Sequence, residues 1–291
     1  MTEIECVWPA EATLGEGPLW SQRENALYWV DIKAPALHRF RPEDGDTTSW
    51  VMPEPIGWVI ERSNGEGLIA GFKERGFAFL TPGTMVPEVI GHPEPDYPDN
   101  RFNDAKADAE GRIWAGTMDD NEREASGSLY RLDPDQDWHR MDKGYVVTNG
   151  PAFSPDGRVL YHTDTFEGTI FAFDLDAKGK LSKKRIFTTI PEGDGYPDGM
   201  TCDAEGHLWV AHWNGWRLTR FRPDGQVDRI IEMPVSQVTS CAFGGPELDR
   251  LYITSARKGL GEKELAEQPL AGGLFVLDPG VKGLPAGLYA G

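Results

Sequence analysis

Two carboxylates and two carboxamides recur at one register along this chain: Glu16 in Gly15-Glu-Gly-Pro18, Asn103 in Arg101-Phe-Asn-Asp104, Asn149 in Thr148-Asn-Gly-Pro151 and Asp198 in Pro197-Asp-Gly-Met200. Each stands 10 to 12 residues ahead of a short apolar run, and Gly57 and Ser240 fill the same place in two further units. Taken singly, an Asn-Gly or Asp-Gly pair is a turn signal. The shared register is what supports another reading. Carboxylates brought together without a basic partner repel, burial raises that cost, and a bound divalent cation removes both penalties. Glu16, Asn149 and Asp198 make an all-oxygen set suited to a hard cation, with positions left open for water and substrate. The chemistry open to such a site is metal-assisted attack of water, with an adjacent carboxylate taking the proton.

Residues as far apart as Glu16 and Asp198 converge only if the elements carrying them are arranged around a common axis. Six apolar runs supply that arrangement: Ala26 to Ile32, Gly67 to Phe72, Arg112 to Met118, Arg158 to Thr163, His207 to His212 and Arg250 to Ser255. Aligned on Tyr28, Leu68, Ile113, Leu160, Leu208 and Leu251, they are separated by steps of 40, 45, 47, 48 and 43 residues. A period of this size with several short strands per unit marks a propeller blade. The fourth unit is the clearest. Asn149 to Phe153 leads through the turn Ser154-Pro-Asp-Gly157 to Arg158–Thr163, then to the alternating Thr169–Asp174, then to Lys184–Thr188. Turn chemistry and period-two alternation agree on a four-stranded meander. One such sheet cannot cover both of its faces, so six must stack into a ring, which also removes exposed edges. The predicted fold is all-β, a six-bladed β-propeller of four-stranded antiparallel blades, forming one domain over residues 1–291. The final unit offers Gly272 to Leu277 and the chain start offers Val7, so a strand from one terminus is expected to complete a blade begun at the other.

Antiparallel alternation then assigns the faces. The short turns Asp108 to Gly111, Ser154 to Gly157 and Asp203 to Gly206 fall on the lower face. The irregular stretches Gly91–Asp99, Asp119–Ala125, Pro191–Pro197 and Ala256–Ala271 fall on the upper one, where the inner strands begin. Long loops on one face of a rigid scaffold are where recognition usually resides.

Bulk composition narrows the function classes. Asp and Glu number 47 against 29 Lys and Arg, a net charge of -18. That balance argues against nucleic acid and anionic membranes, which demand basic patches. No apolar stretch reaches the roughly 20 residues of a membrane span, and Met1 to Pro9 lacks a signal-peptide pattern, so a cytoplasmic location is expected. Cys6, Cys202 and Cys241 are too few and scattered for a disulfide framework or thiolate metal site and read as small buried residues.

The motifs that carry these readings are similar to those of the senescence marker protein, gluconolactonase and regucalcin-like family of six-bladed propellers. The resemblance spans essentially the whole chain and rests on Gly15 to Trp20, Arg101 to Asp104, Ala115-Gly-Thr-Met118, Gly127-Ser-Leu-Tyr130, Thr148 to Gly150, Phe153 to Gly157, Pro197 to Met200 and Phe243-Gly-Gly245. It implies an enzyme that hydrolyses sugar lactones. It also implies one divalent metal held by Glu16, Asn149 and Asp198, Asp198 doubling as general base, and Arg101 and Asn103 binding substrate oxygens. Where some animal members carry Glu in the loop after Met118, this chain has Asn121 beside Asp119 and Asp120; Asp119 and Asn121 are the expected substrate contacts from that loop. A pentonolactone such as xylonolactone is the expected substrate, a small molecule, with no protein partner implied.

The residues suit that chemistry on their own terms. A tetrahedral oxyanion formed beside a cation is stabilised where fixed positive charge is worth most, and Arg101 can fork onto ring or hydroxyl oxygens. No Gly-x-Ser-x-Gly elbow supplies a covalent nucleophile. Two carboxylates are few for calcium, and free cytosolic calcium is scarce, so iron(II) or manganese(II) is favoured over calcium, magnesium or zinc. Two other classes compete: a propeller that binds a protein partner across its upper face, and a hydrolase of aryl esters or organophosphates, which would favour apolar walls.

Several motifs are set aside. Asp133 to Asp137 imitates a calcium loop but has Trp138 at the sixth position and Gly144 at the twelfth, so it reads as a turn. His207 and His212 lack metal-ligand spacing, and Lys178 to Arg185 reads as a solvated edge.

Overall fold

The computed structural model describes residues 3–81 and 83–291. Among them are 24 strands and one short helix, Glu262–Glu267. The strands form six sheets of four, antiparallel throughout. The innermost strands of blades 1 to 6 are Gly15–Ser21, Ile56–Glu61, Asn100–Ala107, Thr148–Phe153, Tyr196–Cys202 and Val238–Gly244. Each packs on the next, and Gly15–Ser21 touches both Ile56–Glu61 and Val238–Gly244, which closes the ring. The sixth sheet takes its outer strand from the chain start: Ile4–Trp8 pairs with Leu274–Leu277, Ile4 opposite Leu277 and Cys6 opposite Phe275. Closure by the termini is therefore as expected. No helix among the described residues is long and apolar enough to cross a membrane.

The core lies between sheets. Trp29, Trp58, Trp114 and Trp209 are fully buried there, each among side chains from a neighbouring blade. The lower turns are built from repeated chemistry. The Asp108 carboxylate accepts from the backbone of Glu110 and Arg112 and from Trp114 Nε1 at 2.8 Å. Asp203 does the same with Glu205, His207 and Trp209 Nε1 at 2.9 Å. These Asp-Ala-Glu-Gly turns thus lock a second-strand Trp in place, and the positive φ of Gly111 and Gly206 completes the reversal. The segment Lys178 to Arg185 is largely exposed, the solvated edge expected of it, and Lys184 within it also makes contacts across blades. Lys184 lies over the Tyr145, Phe171 and Phe173 rings and donates to Asp142, tying blade 4 to blade 3.

The last residues cross the lower face. Ala204 N–H donates to Lys282 O, and the buried Tyr289 donates from its amide to Glu61 O and from its hydroxyl to Asp133 O. Residues Leu284 to Gly287 border a lower cavity of about 940 Å³ that reaches Asp104 and Lys106 in the channel. Nothing in the periodicity pointed to this strap, because it belongs to no blade.

Candidate active site

Each inner strand is irregular where the recurring polar residue stands. The pairing of inner and second strands slips between Glu16 and Leu19, Phe102 and Ala105, Asn149 and Ala152, and Pro197 and Met200. These are bulges, which bend a strand and re-aim a side chain. The Glu-Gly, Asn-Gly and Asp-Gly pairs that resemble turns in the sequence are bulges inside strands, the flanking glycine permitting the kink. Gly17 and Gly150 take φ of 55° and 78°. Gly199 and Gly57 are required for closeness instead: a Cβ on Gly199 would lie 2.2 Å from Ser240 Oγ, and one on Gly57 2.7 Å from Phe102 O. Glycine holds the register position in blade 2 because the inner strands converge there.

The result brings Glu16, Arg101, Asn103, Asn149 and Asp198 to one upper cavity of about 150 Å³. The lower cavity is larger, but the converging oxygens face the small one. Glu16 and Asp198 are buried to 4% and 5% exposure. Burial raises the pKa of Glu16 first, with the charge of Asp104 adding to it. Burial likewise lifts Asp198 well above the usual carboxylate range, reinforced by Glu16 and Asp104. Asp104 is a third buried acid, eased by the N–H groups of Ala105 at 2.8 Å and Gly150 at 3.1 Å. Glu16 accepts a hydrogen bond from Gly17 N, and Asp198 is eased by the backbone of Gly199 and, more weakly, by the charge of Arg101. No Lys or Arg among the described residues pairs with either; Arg101 is committed to Asp120.

A directed chain of hydrogen bonds ties the remaining groups together. Arg101 Nη1 donates to Asn103 Oδ1 at 2.6 Å, Asn103 Nδ2 to Asn149 Oδ1 at 3.1 Å, Asn149 Nδ2 to Thr165 Oγ1 at 2.8 Å, and Thr165 Oγ1 to Pro197 O at 2.9 Å. Because Thr165 takes the amide N–H, the Asn149 carbonyl oxygen is turned toward the cavity and keeps a lone pair. Two carboxylates with unengaged oxygens and one oriented amide oxygen fit a hard divalent cation. Asn103 spends both N–H groups on Thr148 O and Asn149, so it bridges Arg101 to Asn149 in place of the free substrate donor expected from sequence.

The loop after Met118 is arranged differently from expectation. The Asp119 carboxylate receives the backbone N–H groups of Asn121, Arg123 and Glu124 and the Asn121 side chain. It is occupied in shaping the loop and holds Asn121 to the same task. Neither lines the cavity; Glu122 does, and its carboxylate pairs with Lys258 from the long sixth-blade loop. Leu14, Met118, Val147, Phe166, Tyr196 and Trp213 also line the cavity and make it more apolar than the loop sequences suggest. Glu122, Lys258 and Thr165 escaped sequence reading. Thr165 follows the second strand of blade 4 and sits outside the recurring register.

Several relatives match this chain over nearly their whole length. The 6-deoxy-6-sulfogluconolactonase of Pseudomonas putida is 37% identical over 289 residues, 99% of each chain. Regucalcin of Xenopus laevis is 36% identical over 297 residues, again 99% of each. The crystal structure of a calcium-binding protein, regucalcin, from Agrobacterium tumefaciens superposes with a TM-score of 0.93 at 29% identity, covering 99% of this chain and 97% of that one. The family model for the SMP-30/Gluconolactonase/LRE-like region matches residues 14–257. With the ring, the bulges and the converging oxygens in place, the chain belongs to the SMP-30/gluconolactonase/LRE-like family.

Proposed function

We propose that this protein is a lactonase that hydrolyses a sugar aldonolactone to the aldonic acid, with a divalent cation held by Glu16, Asn149 and Asp198. The observation that carries this reading is a pair of buried carboxylates, neither in an ion pair with a side chain among the described residues, facing one small cavity that the Arg101 guanidinium also lines. A cation bound there supplies Lewis acidity toward an ester carbonyl and favours ionisation of water.

The chain's own groups account for the rest. An Asp198 oxygen accepts the proton of the attacking water as its oxygen bonds to the carbonyl carbon. The ring C–O bond then breaks, and Asp198 returns the proton to the departing ring oxygen, leaving the open-chain acid. Arg101 donates from Nη2, its one nitrogen without a protein acceptor among the described residues, to substrate oxygens. Phe166, Tyr196 and Trp213 offer apolar contact to the C–H face of a sugar ring while excluding water from it. Glu122 and Lys258 offer an acceptor and a donor to hydroxyls on the outer side.

Xylonolactone remains the substrate we favour, and iron(II) or manganese(II) the ion. The sulfogluconolactonase among its relatives makes gluconolactones the main competitors. The test is a panel of xylono-, arabinono-, glucono- and 6-sulfogluconolactones with metal-free protein refilled with each divalent ion, read by acid release. Strong dependence on both ion and sugar is expected. Equal rates without any metal overturn the metal assignment, and absence of turnover across the panel overturns the lactonase reading.

Thr165→Val tests how the amide ligand is held. It keeps the shape but removes the acceptor of Asn149 Nδ2, freeing the amide to rotate. Partners that orient a ligand are worth about 10- to 100-fold in metal affinity. Titration of metal-free protein with manganese(II) is expected to show about tenfold weaker binding, with the melting temperature lowered by a few degrees because Asn149 Nδ2 and Pro197 O both lose a partner.

A further inference from the structure

We propose that Asp120 is the positioning residue for substrate recognition, gripping Arg101 so that only Nη2 is offered to the lactone. The proposal rests on the lactonase reading above. Asp120 lies in the upper loop of blade 3, and its carboxylate is the meeting point of three cations. Oδ1 accepts from Arg101 Nε at 2.6 Å and from Lys33 Nζ at 2.6 Å; Oδ2 accepts from Lys73 Nζ at 3.0 Å. Lys33 follows the second strand of blade 1, Ala26–Asp31, and Lys73 that of blade 2, Leu68–Phe72. Three successive blades thus send the same upper loop to one carboxylate.

The Arg101 side chain is only 3% exposed, and its freedom is removed from two directions. Asp120 holds Nε, while Phe102 O at 3.0 Å and Asn103 Oδ1 at 2.6 Å hold Nη1. Nη2 is left without a protein acceptor among the described residues, in a side chain that lines the cavity. Burial opposes ionisation of Asp120, but Lys33, Arg101 and Lys73 outweigh it and hold the carboxyl well below its ordinary range. A neutral side chain here would leave three cations facing one another, and Arg101 would lose the charged acceptor that fixes its Nε. Lys33 and Lys73 also link this grip to blades 1 and 2, beyond the family motif that contains Arg101 itself.

The experiment is a double-mutant cycle on the metal-loaded protein with a lactone that the wild type opens. Asp120→Asn is expected to raise KM about tenfold while kcat stays within about threefold, the pattern of lost binding common to ground and transition states. In an Arg101→Met background the same substitution is expected to change KM less than twofold. Asp120→Glu restores the charge and is expected to recover most of the loss. An unchanged KM in Asp120→Asn, or an equal rise with and without Arg101, overturns the proposal. A second readout is independent of turnover: the Arg101 Nε–H nitrogen-15 signal is expected to be exchange-protected in wild type and in Asp120→Glu, and to lose protection in Asp120→Asn. If the wild type opens no lactone, the lactonase reading fails, and the Arg101 signal alone decides the role of Asp120; a signal identical in all three proteins rejects it.

Discussion

Asp198→Asn is expected to lower kcat/KM for the sugar lactone by about 10⁴-fold, which corresponds to about 5 kcal/mol of transition-state stabilisation. The substitution is nearly isosteric, but it removes the proton acceptor and one of two anionic ligands. A positioned general base contributes about 10²- to 10⁴-fold by itself. The folding consequence has the opposite sign. Asp198 is buried beside Glu16 and Asp104 with no cation paired to it, so a neutral amide relieves repulsion in the metal-free protein. At pH 8 the metal-free variant is expected to melt at or above the wild-type temperature. Activity lost while stability is kept or gained assigns Asp198 to chemistry. Retention of more than a tenth of the wild-type rate would remove Asp198 from the mechanism.

Removing the cation is expected to make stability depend on pH in a direction set by the buried acids. Glu16 and Asp198 have raised pKa values, so the folded chain keeps protons that the unfolded chain gives up. Their stabilising contribution is fully present below the unfolded value near 4.3 and is lost as pH climbs toward the raised folded value. Buried histidines act the other way. Burial pushes His38 and His212 down to about 4 and His162 to about 3, so they cost stability as pH falls below about 6.5. The window from pH 6.5 to 8 isolates the acids. Each carboxyl that stays protonated in the folded chain through that interval costs roughly 2 kcal/mol across it, or roughly 4 °C in melting temperature. Saturating manganese(II) is expected to flatten that decline, because the ion binds the ionised form. A Glu16→Gln, Asp198→Asn double variant is expected to abolish it without metal. A slope that survives in the double variant would assign the effect to other acids.

How much of this was legible in the chain differs from residue to residue. Period and turn chemistry are local properties, so the six blades, their four strands and closure by a strand from one terminus could be read from the chain, while the register of Ile4–Trp8 on Leu274–Leu277 could not. The register of Glu16, Asn149 and Asp198 was legible for the same reason: each is a fixed distance from its own second strand. The nature of the Gly pairs was not, because a bulge and a turn use the same dipeptides and differ only in whether a partner strand continues past them. Asp119 and Asn121 illustrate a second limit. An acid in a polar loop looks equally available to a ligand or to its own backbone, and here four local donors take it.

Sequence alone determined the fold, the family resemblance and the common register of Glu16 and Asp198, since these depend on short-range spacing repeated many times, but not the third buried acid, Asp104. Only the tertiary structure decided the partners. Lys33 and Lys73 reach Asp120 across 87 and 47 residues, and Lys258 reaches Glu122 across 136. Those pairings arise when ring closure brings upper loops of different blades together, and no local pattern encodes the distance at which they meet.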